Sequence, residues 1–136
     1  MAVFQYSVTL RNAQLDAIAT TGGGTAVVKI KNGTMPANCA GAEVGTVLAT
    51  VNLPATWMSA ASGGSVLKTG TWEDTSADAS GTASHFRLYK NDGTTVVMQG
   101  DVTATGGGGA MTVDSLAFTA AQNFTVTSFA ITAGNS

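Results

Sequence analysis

Apolar residues recur at every second position along most of this chain and at helical spacing in one place only. That place is residues 7–20, where Val8, Leu15, Ile18 and Ala19 fall on one stripe with Arg11 and Asn12 at its border. Ser7 supplies an N-cap hydroxyl, and Gly22-Gly23-Gly24 supplies the stop, because glycine takes the left-handed conformation that closes a helix. The spacing predicts one N-terminal helix, packed on a β body or reaching away from it.

The remainder reads as strand and turn. Ala26, Val28 and Ile30 alternate with Val27, Lys29 and Lys31, so the two lysines mark a solvated strand face, and Asn32-Gly33 ends the run with a turn dipeptide. Residues 34–45 form a long loop. Val47, Ala49, Val51 and Leu53 line a second alternating face that stops at Pro54, which has no N–H to give a ladder. A weaker strand pattern covers 65–72, between the Trp57-Met58 loop and the polar stretch 73–80.

The strongest local pattern is a hairpin. His85-Phe86-Arg87-Leu88-Tyr89-Lys90 and residues 94–99 flank Asn91-Asp92-Gly93, with Phe86 and Leu88 facing Val96 and Met98. Gly106 to Gly109 demand a bent or flexible connection, and short strands at 111–113 and 116–118 follow. In the last segment, 123–132, Phe124 and Val126 share one parity while Phe129 and Ile131 share the other, which a bulge between Thr127 and Ser128 reconciles. About seven or eight strands separated by turn residues predict a mostly β, single-domain antiparallel sandwich or jelly roll over residues 1–136. Its expected core gathers Val28, Ile30, Val51, Phe86, Leu88, Val96 and Met98.

Composition narrows the function classes. Charged residues are 10% of the chain and apolar ones 44%, yet no apolar run approaches the ~20 residues of a membrane span. The start Met1-Ala2-Val3-Phe4-Gln5-Tyr6 has neither a basic region nor a continuous apolar one, so no signal peptide is expected and synthesis is placed in the cytoplasm. A formal net charge of −2 with six Lys and Arg in total argues against nucleic acid, whose phosphates need clustered cations. The single Cys39 has no second cysteine for a disulfide or a CxxC clip.

Candidate chemistry is sparse. His85 is the sole histidine, and it shares a strand face with Arg87 and Tyr89. Alternation sets that face opposite Phe86 and Leu88, which makes it an exposed or subunit-facing stripe, and Arg and Tyr are enriched at interfaces. Trp57, Met58 and Trp72 suit a core, or a partner-facing patch, since Trp and Met anchor both. The candidate interface is therefore His85, Arg87, Tyr89, Trp57 and Met58. Glu73, Asp74 and Asp78 lack the alternating ligand spacing of a calcium loop, and neither glycine run leads into Lys-Ser or Lys-Thr as a phosphate loop does. No catalytic residue, metal site or cofactor is expected, and the role expected is binding and assembly.

Several segments taken together resemble small structural proteins of tailed bacteriophage virions. They are Arg11-Asn12-Ala13 with Leu15-Asp16-Ala17-Ile18, Gly33-Thr34-Met35-Pro36-Ala37-Asn38, Gly45-Thr46-Val47-Leu48-Ala49, Gly81-Thr82-Ala83-Ser84-His85-Phe86-Arg87-Leu88-Tyr89 with Asp92-Gly93-Thr94, and Met111-Thr112-Val113-Asp114. The resemblance is nearest to capsid cement or decoration proteins. It implies a jelly-roll fold, a homotrimer on the capsid exterior and the phage major capsid protein as partner, with no catalytic residues to carry over. A phage tail or host-receptor-binding β module is the alternative.

Overall fold

The computed structural model describes residues 4–133, so Met1, Ala2 and Val3 of the start read above lie outside it. Helix α1 runs Val8–Gly22, and the Ser7 hydroxyl accepts from the Leu10 N–H at 3.1 Å. It ends at Gly23, which takes φ +74 and donates its N–H to the Ala19 carbonyl. Ten strands follow: β1 (Val27–Lys31), β2 (Val47–Asn52), β3 (Ser65–Leu67), β4 (Glu73–Asp74), β5 (Gly81–Thr82), β6 (His85–Tyr89), β7 (Val96–Ala104), β8 (Met111–Val113), β9 (Ala117–Phe118) and β10 (Phe124–Thr132). The fold is mostly β with one N-terminal helix, of the sandwich or jelly-roll-like class.

The large sheet runs β2-β1-β6-β7-β8-β10-β3, with β4 also paired to β10, and β5-β9 form a small second sheet. Curling brings β4 back toward β2. The Thr50 N–H donates to Asp74 Oδ2 at 3.0 Å, the Thr50 hydroxyl to Asp78 Oδ2 at 2.7 Å, and the Asp78 N–H to the Leu48 carbonyl at 2.8 Å. Two of the three carboxylates weighed for calcium thus tie the edges of the sheet. Among the described residues no three His, Cys, Asp or Glu side chains gather as a metal-binding group.

The predicted hairpin is β6-β7, with Leu88 opposite Met98 as expected, but Phe86 lies opposite Gly100 and Tyr89 opposite Val96, across a register shift. Val96 and Met98 are half-buried and sit at the edge of the core, a correction to their expected place inside it. The expected bulge is present: pairing of β10 with β8 skips between Val126 and Ser128. Helix burial is also narrower than predicted. Leu15 and Gly22 are buried, Ile18 and Ala19 are half-buried, and Val8 remains 46% exposed.

One pair departs from the antiparallel rule. β7 and β8 run parallel, with Val102 opposite Met111, although parallel neighbours ordinarily need a dozen or more linking residues. Glycine makes the short link possible. Gly106 and Gly108 take φ +88 and +79, and a Cβ at Gly107 or Gly109 would come within 2.7 Å of Thr103.

The interior is organised around an aromatic chain. Trp57 and Trp72 lie 6.1 Å apart, Trp72 and Phe129 5.4 Å, and Phe129 and Phe86 5.5 Å edge to face, spacings at which ring quadrupoles attract. Trp57 also joins the helix to this core: its indole N–H donates to the Gly23 carbonyl at 2.9 Å, and a Cβ on Gly22 would lie 2.7 Å from its ring. Polar contacts complete the docking of α1, with the Gly64 and Ala61 N–H groups donating to Asn12 and Asp16.

Leu88 is fully buried between these layers, so Leu88→Ala is expected to cost about 2–5 kcal/mol in a denaturant melt. A loss under ~0.5 kcal/mol would place it at the surface.

Candidate functional site

Strand β6 is buried on both faces. Phe86 and Leu88 point into the core, and His85, Arg87 and Tyr89 occupy the opposite face beside Lys31 and Lys29 of β1. The exposed stripe and the solvated lysine face expected from alternation are both corrected here. His85, Arg87 and Lys31 are each 1% exposed and Tyr89 is fully buried; the 34–45 loop folds back across β1, β6 and β7 and bonds to Lys31, Arg87, Tyr89 and Gln99.

The loop attaches through polar groups. Arg87 Nη2 donates to the carbonyls of Asn38 at 3.2 Å and Gly41 at 2.9 Å, while its Nε donates to Gln99 Oε1 at 3.0 Å. Gln99 Nε2 in turn donates to the Pro36 carbonyl at 2.7 Å. Glu43 takes Lys31 Nζ at 3.0 Å on one carboxylate oxygen and the Tyr89 hydroxyl on the other. Lys29 Nζ lies 4.8 Å from the centroid of the Tyr89 ring and donates to the Gly93 carbonyl. On this face His85 Nε2 is buried without a hydrogen-bond partner.

Charge states follow from these contacts. Hydrogen bonds from Tyr89 and then Lys31 hold the Glu43 carboxyl below its ordinary range. Burial pushes the His85 imidazole down, and the charges of Lys31 and Arg87 add to that. Burial, reinforced by the Glu43 hydrogen bond, pushes the Tyr89 phenol up. His85 Nδ1 sits 3.0 Å from the Ser84 hydroxyl, but that hydroxyl is turned to the Gly33 and Lys31 carbonyls and nothing orients the imidazole from Nε2. The pair therefore lacks the geometry of an activated nucleophile.

Trp57 and Met58 are not part of this cluster. Both are buried, with Trp57 against Gly22 on the inner side, so the structure divides the five expected interface residues between core and covered face and leaves none of them at the surface. Sequence reasoning missed Glu43 and Gln99. A signal was present in that Glu43 is the one carboxylate of residues 34–45.

Large apolar side chains at the surface run together at the N-terminal end. Phe4 is 62% exposed, and Tyr6, Val8 and Leu10 follow it, with the Phe4 and Tyr6 rings edge to face at 5.0 Å. At 100° per residue Val8 falls in line with Leu15 and Gly22, so the buried stripe of α1 continues past the rim of the body into solvent. Residues 1–10 contain no charged side chain.

No family model, curated protein or solved structure matches this chain.

Two outcomes are expected of the covered face. Arg87→Met keeps the apolar stem but leaves the Asn38 and Gly41 carbonyls unpaired, and should cost about 2–4 kcal/mol in a urea melt at neutral pH. Stability should also fall with acid. His85 and Glu43 both have depressed folded values, so each stabilises the fold above its unfolded value, and that contribution is lost as pH drops below about 6.5 for His85 and about 4.3 for Glu43. Melts repeated across that range check the sign.

Proposed function

We propose that this chain is a structural virion protein of a tailed bacteriophage, a capsid cement or decoration protein that binds and stabilises the assembled head as a homotrimer. The observation that carries a binding role is the uncharged apolar run Phe4, Tyr6, Val8 and Leu10, exposed on the arm and first turn of α1. Large apolar side chains exposed close together in the sequence support an interaction role, because their exposure to water has a cost that binding lowers. The virion assignment rests on the resemblance of the segments quoted above, and the mostly β sandwich-like fold agrees with it.

Low surface charge supports self-association and lattice contact, since little like-charge repulsion opposes either. A trimer touching several coat subunits converts modest contacts into firm attachment, with linked contacts raising affinity ~10²–10⁴-fold over a single one.

Purified protein is expected to scatter light as a trimer and to co-sediment with heads that lack it, with little loss at high salt. Phe4→Ser with Val8→Ser should abolish co-sedimentation while leaving the unfolding free energy within about 0.5 kcal/mol of the parent. Binding to tails or host cells in place of heads would reject the cement reading and favour a tail module.

A further inference from the structure

Residues 34–45 are held to the sheet almost wholly by polar contacts, for Pro36 is the one buried residue among them. Their ends are pinned together. The Asn32 N–H donates to the Thr46 carbonyl at 3.2 Å and the Thr46 N–H to Asn32 Oδ1 at 2.7 Å, with Gly33 at φ +81 and Gly45 at φ +83 flanking the base. A compact loop closed at its base in this way can swing out and leave β1 and β2 paired.

Two groups of this face change charge in mild acid, His85 on β6 and Glu43 in the loop itself, and their surroundings push both the same way. Around His85 stand Lys31, its register partner on β1, Lys29 on the same strand, and Arg87 on β6. The anions are Asp101, its register partner on β7, which turns one carboxylate oxygen to the Ala110 N–H at 2.8 Å, and Glu43 from the loop, engaged by Lys31 and Tyr89. His85 Nε2 has no hydrogen-bond partner, and a proton added to the ring meets two buried cations, with the Gly33 backbone alone favouring it. A proton added to Glu43 removes the counter-charge of Lys31, whose side chain is 2% exposed. With so little apolar burial in the loop, these charges decide whether it stays down.

We propose that the 34–45 segment is an acid-released latch, held shut by neutral His85 and ionised Glu43, and that lifting it uncovers a cationic strip of Lys29, Lys31, His85 and Arg87. This inference does not depend on the virion reading.

Hydrogen exchange of the intact protein, read by mass spectrometry from about pH 7.5 to about pH 3.5 and corrected for intrinsic rates, tests it. Ala40 and Gly41, whose N–H groups close on Asn38 the turn that Arg87 holds through the Asn38 and Gly41 carbonyls, report whether that turn is still held. Loop protection should begin to fall as pH drops below about 6.5, by no more than about tenfold per pH unit, one proton's worth, and fall further below about pH 4.3, while strand amides stay protected. His85→Asn should flatten the upper range. Glu43→Gln should leave the loop poorly protected at neutral pH and remove the further fall at lower pH. Loop protection that is constant with pH, that falls only in step with the strands, or that keeps its upper slope in His85→Asn would overturn the latch. So would a Glu43→Gln protein whose loop is as protected as the parent's.

Discussion

A strand buried on both faces is the constraint from which most of this molecule follows. The inner face of β6 is apolar and is satisfied by packing, but its outer face carries an imidazole, a guanidinium and a phenol that cannot be left dry without partners. The guanidinium and the phenol find theirs on the 34–45 loop, in the Asn38 and Gly41 carbonyls and the Glu43 carboxylate, whereas the imidazole meets the Ser84 hydroxyl. Arginine suits that task because its planar fork reaches two loop carbonyls and a side-chain amide at once. The Lys31–Glu43 pair adds little net stability, since Glu43 is half-exposed. Its importance is asymmetric: loss of the carboxylate leaves a buried ammonium alone.

The two ends of the helix serve different purposes. Beyond its first turn the helix is fixed by Trp57 against the bare backbone of Gly22 and by its own Asn12 and Asp16, which accept from the Gly64 and Ala61 N–H groups of a neighbouring loop. The first turn extends the same apolar stripe beyond the body. A helix made only to cover the sheet would end its apolar stripe where the body ends. The overhang together with the Phe4 and Tyr6 rings supports an attachment role for that end, apart from the covered polar face.

Sequence legibility had a physical pattern. Features governed by a few neighbouring residues were readable: the Ser7 cap, the glycine stop, the β6-β7 hairpin and the parity switch that produces the bulge near Thr127. Alternation also grouped His85, Arg87 and Tyr89 on one face correctly. It could not reveal that the face is covered, because a period of two reports which residues point the same way and carries no information about a distant loop of the same chain. Strands β4 and β5 escaped notice for a related reason. They pair through their backbones with β10 and β9, and their side chains, Glu73, Asp74 and Thr82, carry no apolar rhythm. The parallel β7-β8 pair was hidden by its glycine link, which reads as a loop of no particular direction.

That link has a kinetic meaning. Parallel pairing is ordinarily slow to form because a long crossover must close before any contact rewards it. Here residues 105–110 suffice, so β6, β7 and β8 make a contiguous three-stranded unit built from neighbours in the chain. The pairing of β10 with β3 and β4 must instead join segments that lie on either side of that unit in the sequence. The loop-closure entropy is thus distributed unevenly: assembly starts in the middle of the chain, and the outer strands close over it last. Changes within the central unit then act on the rate of folding, whereas changes along the β10 seam act on how long the finished molecule lasts.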